Sequence, residues 1–211
     1  MNPLLPLLAM MMLAIGACSK PQPPTTGFYP AVANGDIEQI KRHLFWHTKV
    51  NQLFPNGDTP LHLAVRNGDP AIVQLLIEAG ADPRKTNLSG ESVLETALKN
   101  RRMRIAERLI AVGAPFEGDR LLFEMVNAGV SDRDVYRLLA RHGARFDVVD
   151  ANGKTPLLLA IEQERPALVK QLILHGADVN QPGRDGTRPL TAANRLGAER
   201  IAQLLKANGA K

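Results

Sequence analysis

The chain has 211 residues, and its 26 Lys and Arg outnumber 21 Asp and Glu to give a formal net charge of +5 at pH 7. Hydrophobic residues make up 45% of the sequence and aromatic residues 4%, an apolar content that is ordinary for a globular protein. The only cysteine is Cys18, so an internal disulfide is excluded.

The chain begins with an apolar segment. Residues 1–17 carry no charged side chain, and the apolar run from Leu4 to Ala17 ends directly before Cys18. A run of this length is too short to span a bilayer comfortably and fits the hydrophobic region of a secretory signal peptide. An uncleaved hydrophobic tail with an incidental cysteine is the alternative.

Residues 15–18, Ile-Gly-Ala-Cys, resemble the lipobox of bacterial lipoproteins, in which a dedicated peptidase cuts just before the cysteine. The resemblance implies that residues 1–17 are a lipoprotein signal peptide and that Cys18 becomes the lipidated first residue of the mature chain. The segment departs from the usual pattern because it has no Lys or Arg near its start. By the same resemblance, Ser19 is compatible with sorting to the outer membrane. We therefore expect a lipid-anchored protein of the bacterial outer membrane that faces the periplasm.

Residues 19–27 are polar and rich in proline. Such a segment favours an extended, semi-rigid conformation. We assign residues 18–27 to the lipidated cysteine and a linker. We expect this linker to hold the following domain off the membrane surface, with a reach of about 25–30 Å at roughly 3 Å per residue.

From residue 28 onward the chain repeats itself. A Gly-Ala dipeptide recurs at steps of 33, 30, 33 and 33 residues, with its glycine at Gly80, Gly113, Gly143, Gly176 and Gly209. A second series of glycines runs in phase with the first, and each of these precedes a small apolar cluster. A repeat of this length is a helical unit that must stack on its neighbours to bury its apolar face. Stacked units provide long surfaces rather than closed pockets.

Each unit is predicted to contain two helices. Thr59 and Thr155 are suitable N-caps, and Pro60 and Pro156 follow at the first helical position, where a missing N–H has no cost. Leucines and alanines then recur at helical spacing. The glycine of the Gly-Ala dipeptide lies where the second helix must end, because glycine adopts the left-handed conformation cheaply. We therefore predict a helix, a short turn, a longer helix and an extended hairpin-like loop in each unit.

Residues 57–64, Gly-Asp-Thr-Pro-Leu-His-Leu-Ala, and residues 153–160, Gly-Lys-Thr-Pro-Leu-Leu-Leu-Ala, closely resemble the ankyrin repeat. The third and sixth copies are degenerate, and Asn-Gly-Asp at residues 34–36 marks a first copy. The resemblance implies an all-α ankyrin-repeat solenoid of about six helix-turn-helix units with hairpin loops, which forms a domain over residues 28–211. It also implies a structural role for His62, whose ring would link neighbouring loops by hydrogen bonds.

Two irregularities surround the fourth copy. The glycine of the Gly-Ala dipeptide precedes the first-helix leucine by 14 residues elsewhere, but Gly113 precedes Leu122 by only 9. The hairpin between copies three and four should therefore lack five residues and leave a notch near residues 115–117. Copy four itself gains two residues, which we place within residues 127–132. The notch is either neutral variation in a tolerant loop or an opening for a partner element.

The sequence does not indicate a catalytic or metal site. His43 and His47 have a four-residue spacing that can place two imidazoles on one metal ion, but no third ligand is indicated. None of the four serines lies in a Gly-x-Ser-x-Gly motif. The glycines follow the repeat period and serve turns rather than a phosphate-binding loop. We therefore expect no enzyme activity, no metal and no cofactor.

Basic residues form two groups in the sequence. One group lies at residues 99–104, and the other recurs at every fourth position as Arg133, Arg137, Arg141 and Arg145. The second spacing predicts a stripe along one helix face, and a solvated face is the first interpretation. An acidic protein or anionic lipid headgroups are the alternatives. Nucleic acid is not expected, because the lipobox places the protein outside the cytoplasm.

The ankyrin resemblance also implies a binding surface, because partners of such arrays usually contact hairpin tips and first helices on the concave face. The candidate partner-binding residues at the tips are Leu53, Phe54, Lys85, Leu88, Val149, Asp150 and Arg184. The candidate residues on the first helices, which would form a polar rim, are Arg66, Lys99, Asn127, Glu162 and Arg195. Three of the tip residues, Phe54, Leu88 and Val149, are apolar. They are either exposed interface anchors or side chains tucked beneath their own hairpins.

The sequence thus predicts a non-enzymatic, membrane-tethered interaction module of the bacterial envelope. We expect it to be a monomer that binds one unidentified folded protein, with the lipid anchor raising its local concentration. One more specific hypothesis is an immunity or inhibitor protein that neutralises a toxin or effector acting in the periplasm, and another is a protein that supports an envelope enzyme. A structural lipoprotein that holds the outer membrane near the cell wall is the alternative from a different class.

Overall fold

The computed structural model describes residues 20–211, so the apolar segment and Cys18 lie outside the described residues. The described chain forms α-helices joined by turns and long loops, and an isolated antiparallel bridge joins Thr86 to Ser92. None of these helices has the length and apolar character needed to cross a membrane. The helices are α1 (Phe28–Ala33), α2 (Ile37–Phe45), α3 (Pro60–Asn67), α4 (Pro70–Glu78), α5 (Val93–Lys99), α6 (Met103–Ala111), α7 (Gly118–Asn127), α8 (Arg133–Arg141), α9 (Pro156–Glu162), α10 (Pro166–Leu174), α11 (Pro189–Arg195) and α12 (Glu199–Ala207).

The helices pair in chain order into six helix-turn-helix units, from α1–α2 to α11–α12. The first helices of the units pack against one another in sequence, and the second helices form a second row against them. The described residues therefore confirm the predicted all-α solenoid of about six units.

The helix starts follow the capping pattern read from the sequence. Thr59 and Thr155 cap α3 and α9, because each side chain accepts a hydrogen bond from the backbone N–H three residues further on. A proline occupies the first helical position in both helices. In the degenerate third copy, Ser92 and Glu95 form a reciprocal capping box that replaces the Thr-Pro pair.

One hydrophobic core runs through the whole array. Ala64, Ala97, Ala160 and Ala193 lie at equivalent places on the first helices and are fully buried, and their small side chains let neighbouring helices approach closely. The fourth copy has Met125 at this place, also fully buried. A flexible methionine can fill an irregular space in a core, which is consistent with the altered spacing of this copy.

Asparagine side chains also connect successive repeats. The Asn51 amide donates to the backbone carbonyl of Gly80 at 2.9 Å and accepts from the backbone N–H of Asp82 at 2.8 Å. Asn180 makes the equivalent pair of bonds to the end of the last repeat, at 3.1 and 2.8 Å. These bonds fix the position of one unit relative to the next without any strand pairing.

The loop between the third and fourth units is short, as the spacing predicts. The four other loops between units, which we call the finger loops, each contain fourteen residues, at 46–59, 79–92, 142–155 and 175–188. The loop at residues 112–117 contains six. Two causes shorten this loop. Five residues are absent from the sequence, and three more belong to α7, which begins four residues before Leu122, whereas α3 begins one residue before Leu61.

The predicted two-residue insertion lies in the turn between α7 and α8. This turn spans residues 128–132, whereas the other units use two or three residues. Tyr136 stabilises this turn. Its side chain is fully buried, and its hydroxyl donates to the backbone carbonyl of Val130 at 2.7 Å. Burial raises the pKa of this tyrosine, so the hydroxyl remains a donor.

The segment before α1 is not the extended, semi-rigid spacer that its composition predicts, because it contacts the first repeat. The Trp46 indole donates to the carbonyl of Pro21 at 3.3 Å. Two further bonds join Thr25 to the side chain of Gln39, at 2.9 Å, and Thr26 to His43, at 2.7 Å. Gln39, His43 and Trp46 follow one face of α2, so residues 21–26 run back along this helix and cover it. The expectation of a spacer failed because polar partners on α2 satisfy the segment's backbone groups.

Candidate functional site

The tips of the finger loops are stacked in two pairs. The backbone N–H of Leu88 donates to the carbonyl of Gly57 at 2.8 Å, which joins the first and second finger loops. In the same way Arg184 donates to Gly153 at 2.7 Å and joins the third and fourth. The short loop at residues 112–117 separates the two pairs, and we call this interruption of the row the gap.

Three of the predicted tip residues on the finger loops are exposed apolar side chains. Leu88 is 78% exposed, Leu53 is 51% exposed and Val149 is 39% exposed. The backbone of Leu88 is fixed by its bond to Gly57, so this leucine is presented to solvent from an ordered tip. Leu88 and Val149 are therefore not buried beneath their own loops. Their exposed position is the one that a binding surface needs.

Phe54 is a candidate partner-binding residue whose side chain could be exposed or buried, and the structure shows that it is buried. It is only 5% exposed, and its ring packs edge-on against Phe28 and Tyr29 with centroids 5.8 and 5.1 Å away. The first repeat supplies these two aromatic rings from α1, which gives the phenylalanine an apolar site. Phe54 therefore belongs to the core and is removed from the candidate surface.

The first-helix side chains beside the finger loops are held by ion pairs. Arg66 lies 3.0 Å from the buried carboxylate of Asp58, and Lys99 lies 3.1 Å from Glu91. Asn87 also donates to Asp58 at 3.0 Å, so one carboxylate connects two finger loops and a first helix. These bonds limit the freedom of both cations.

The remaining predicted residues differ in how they are held. Glu162 pairs with Lys154 at 2.6 Å, and Asn127, Arg195, Lys85 and Arg184 are exposed to solvent. Asp150 is half-buried and accepts from the backbone N–H of Lys154 at 2.8 Å. Asp150 therefore shapes the tip of its own loop, a role that the sequence did not suggest.

The first turn of α7 follows the short loop directly and is rich in charge. Arg120 contacts the buried carboxylate of Glu95 and pairs with Glu117 at 2.6 Å. Asp119 accepts from the backbone N–H of Arg145 at 2.8 Å and pairs with its guanidinium at 2.5 Å. This guanidinium holds the pKa of Asp119 below its ordinary value. The gap is thus lined by fixed charges of both signs.

The predicted stripe of four arginines is only partly present. Arg133, Arg137 and Arg141 lie on α8, but Arg145 follows the end of the helix and turns to Asp119. Arg137 pairs with Asp134 at 3.0 Å and Arg141 with Glu107 at 2.6 Å. This helix face therefore carries mixed charge, as an ordinary solvated surface does, because acidic residues on α6 and α8 balance the arginines.

Two other arginines cap first helices, and the sequence gave no signal for this role. Arg102 donates to the carbonyls of Arg66 and Asn67, each at 3.3 Å, at the end of α3. Arg165 donates to the carbonyl of Gly129 at 3.0 Å, beyond the end of α7. A cation is favourable at the carbonyl end of a helix. The basic group at residues 99–104 is thus partly structural.

His43, one of the two histidines considered as metal ligands, and His62 both serve the fold. Both ring nitrogens of His43 are occupied, by Thr26 at 2.7 Å and Thr48 at 3.0 Å. The ring of His62 contacts Thr59 at 2.7 Å and the carbonyl of Glu91 at 2.9 Å, which confirms the predicted link to the next loop. Burial lowers the pKa of His62. Among residues 20–211 no three His, Cys, Asp or Glu side chains are grouped so as to hold a metal ion.

Known proteins share the repeat pattern and the fold of this chain. A sequence model described as ankyrin repeats in three copies matches residues 28–117 and again residues 122–211, and the interval between the matches falls at the start of α7. The chain is 31% identical to the putative ankyrin repeat protein YahD of Escherichia coli (strain K12), over 85% of this chain and 94% of that protein.

The chain is also 32% identical, over 72% of its length, to the B-cell lymphoma 3 protein homolog of Mus musculus. The solved ankyrin repeat domain of Bcl-3 has a TM-score of 0.73 at 27% identity, with 90% of this chain and 89% of that domain covered. The chain spans 36% to 49% of the length of the first three curated relatives.

A further similar structure comes from a complex of two bacterial proteins. The solved complex of the predatory endopeptidase Bd0816 of Bdellovibrio bacteriovorus with the immunity protein Bd3460 contains a matching chain. The match has a TM-score of 0.66 at 25% identity and covers 87% of this chain and 98% of that one.

Proposed function

Because the chain belongs to the ankyrin repeat family, whose domains are typically non-enzymatic modules that bind proteins, we propose that it is a membrane-tethered binding module of the bacterial envelope. A lipid on Cys18 tethers it to the periplasmic side of the outer membrane. It binds one folded protein across the finger loops and the first helices. The lipobox resemblance supports the tether, and the exposed finger surface supports the binding role.

The observation that carries the binding role is the ordered, exposed Leu88. Its side chain is 78% exposed while its backbone is bonded to Gly57. A binding site that is already ordered loses little conformational entropy on association. Arg66 and Lys99, held by Asp58 and Glu91, supply the polar surroundings that an apolar interface residue needs.

The gap gives this surface a distinctive shape. A protruding segment of the partner enters between the two pairs of finger loops and meets Arg120 and Arg145. Both arginines already have carboxylate partners. The entering segment must therefore offer hydrogen-bond acceptors to the guanidinium groups and donors to the carboxylates. The finger loops on either side then contact the flanking surface of the partner.

The test of this function is affinity capture with matched variants. The soluble fragment should begin at Lys20, because residues 21–26 cover α2 and a cut after Gly27 would remove them. We expect one stoichiometric protein from envelope extracts. Leu88→Asp should weaken its binding by about 2 kcal/mol, roughly 30-fold. Leu196→Asp, an exposed leucine at the far end of the array, should leave binding unchanged.

Immunity or inhibition is the second candidate function, and the endopeptidase–immunity complex favours it, because one of its chains is similar to nearly the whole array. In this case the captured protein is a secreted enzyme or toxin, and adding the fragment at a one-to-one ratio abolishes its activity. A captured protein that keeps full activity at saturation would exclude inhibition while leaving the binding role intact.

The structural alternative and the tether have their own tests. Capture of cell-wall fragments alone, with no protein, would favour a structural lipoprotein. For the tether, we expect the N-terminal peptide of the membrane-bound protein to begin at Cys18 and to carry acyl chains by mass spectrometry, and Cys18→Ser to remain uncleaved. An unmodified Cys18 in the purified protein would refute the lipid anchor.

A further inference from the structure

The second helix of the first repeat ends in two exposed aromatic side chains. Phe45 is 46% exposed and Trp46 is 45% exposed, and their rings meet edge to face with centroids 5.9 Å apart. The places equivalent to Trp46 in the other five repeats are occupied by Ala79, Val112, His142, His175 and Asn208. Packing of the array therefore does not require a large aromatic residue at this place.

The same aromatic pair lies where the described chain begins. The Trp46 indole donates to the carbonyl of Pro21, so Lys20 lies beside the end of α2. Cys18 precedes Lys20 by two residues, and two extended residues span at most about 7 Å. Whatever holds Cys18 to a membrane therefore brings this end of the array to the membrane surface.

Three cations lie near the aromatic pair along the chain or beside the Pro21 contact. Lys20 and Lys49 are exposed and Arg42, in the last turn of α2, is half-buried. Within the described residues, none of these three side chains has a carboxylate within 4.0 Å. Glu38, the acidic residue of α2, lies in the first turn and pairs with Lys41. The carboxyl end of α2 is therefore positively charged.

We propose that Phe45, Trp46 and these cations form a second membrane contact, which lies in the headgroup layer of an anionic lipid surface beside the tether. Tryptophan suits this layer because its ring is apolar and its N–H is polar. Lysine and arginine near the surface add attraction to anionic headgroups. The inference rests on the proposed tethering of the N-terminus. Its consequence is a fixed orientation, with the first repeat at the membrane and the later repeats extending from it.

Trp46 is the only tryptophan of the chain, so its fluorescence reports directly on this contact. The full chain, purified from membranes in detergent, is reconstituted into vesicles of phosphatidylethanolamine and phosphatidylglycerol with brominated acyl chains. We expect a blue shift of the emission relative to the detergent-free fragment that begins at Lys20, and a loss of intensity relative to vesicles without bromine. Replacing phosphatidylglycerol with phosphatidylcholine should reduce both effects.

Two variants test the residues of the contact. Phe45→Glu and Lys49→Glu should each reduce the bromine quenching of Trp46. The matched control is Leu174→Glu, because Leu174 has the same place at the end of α10, is 59% exposed and lies four repeats away. Circular dichroism confirms that each variant is folded. Equal quenching in wild type and both variants would overturn the assignment of these residues.

The outcomes separate this contact from the tether. If mass spectrometry shows acylated Cys18 and Trp46 is not quenched, the second contact is wrong and the tether stands. If Cys18 is unmodified and Trp46 of the Lys20–Lys211 fragment is still quenched by anionic vesicles, the contact stands alone. Absence of both effects refutes both. Shielding of Trp46 only when a protein partner is added assigns the aromatic pair to protein binding and overturns the proposal.

Discussion

His62 and Glu91 are joined by a hydrogen bond from the imidazole Nε2 to the Glu91 carbonyl, at 2.9 Å across 29 residues of chain. A carbonyl can only accept, so Nε2 carries the proton. In the neutral ring, Nδ1 is then the acceptor for the Thr59 hydroxyl at 2.7 Å. This side chain joins the start of α3 to the neighbouring finger loop. Both ring bonds need the neutral imidazole, because a protonated Nδ1 could not accept from Thr59.

The stability of the array should therefore fall in mild acid. Burial lowers the pKa of His62 below its ordinary value of about 6.5, so the unfolded chain takes up this proton first as the pH falls. The stabilisation is complete above pH 6.5 and is lost progressively below it, by at most about 1.4 kcal/mol per pH unit. Urea unfolding of wild type and His62→Gln between pH 7.5 and 5.5 should show the smaller slope in the variant. Parallel slopes would contradict this role.

Phe54→Ala should destabilise the protein rather than affect only its binding. The ring is buried against Phe28 and Tyr29, and removing a buried phenylalanine costs about 3–5 kcal/mol. Leu53→Ala is the control, because the adjacent leucine is 51% exposed and should change the free energy of unfolding by less than about 0.5 kcal/mol. Chemical denaturation measures both. A similar cost for the two variants would refute the burial of Phe54.

Gly57→Ala should cost more stability than Gly90→Ala. Both glycines have a left-handed backbone, with φ of 83° and 81°, and an alanine there costs about 1–2 kcal/mol. Only at Gly57 does a new methyl group come within 2.9 Å of the Leu88 Cβ, while nothing lies within 4 Å at Gly90. Leu88→Gly should rescue the excess cost of Gly57→Ala, and Leu88→Ala, which keeps Cβ, should not. Equal costs at the two glycines would show that the tips are not stacked.

Tyr136→Phe should lower the free energy of unfolding by about 1–2 kcal/mol, because the partly buried carbonyl of Val130 loses the donor supplied by the buried tyrosine. Tyr29→Phe is the control, since its ring is 38% exposed and its change should stay within about 0.5 kcal/mol. Thermal and urea unfolding report the difference. A neutral Tyr136→Phe would mean that the longer turn does not depend on this hydroxyl.

The repeat architecture could be predicted because its determinants are local in sequence. Thr59 and Thr155 cap helices through neighbouring backbone groups, and the spacing of glycines and leucines revealed both the short loop before α7 and the longer turn after it. The link made by His62 is implied by the ankyrin resemblance, and the structure shows it as a bond to the Glu91 carbonyl of the next loop.

The misplaced residues depend on contacts between distant parts of the chain. Phe54 is buried because α1 supplies two aromatic rings that no repeat motif requires. Residues 21–26 cover α2 because scattered polar groups on that helix meet their backbone. Arg145 leaves the expected stripe because α8 ends at Arg141 and Asp119 is within reach. Such pairings have no period, so spacing alone cannot reveal them.

The short loop at residues 112–117 also bears on how the array loses its structure. In a linear stack, order propagates from each unit to the next through their shared interface. The helices α5 and α7 share less contact than other neighbouring first helices, and no finger loop bridges them. We therefore expect denaturant to melt the protein in two steps, with residues 20–111 and 118–211 as separate cooperative blocks and a half-folded species between them.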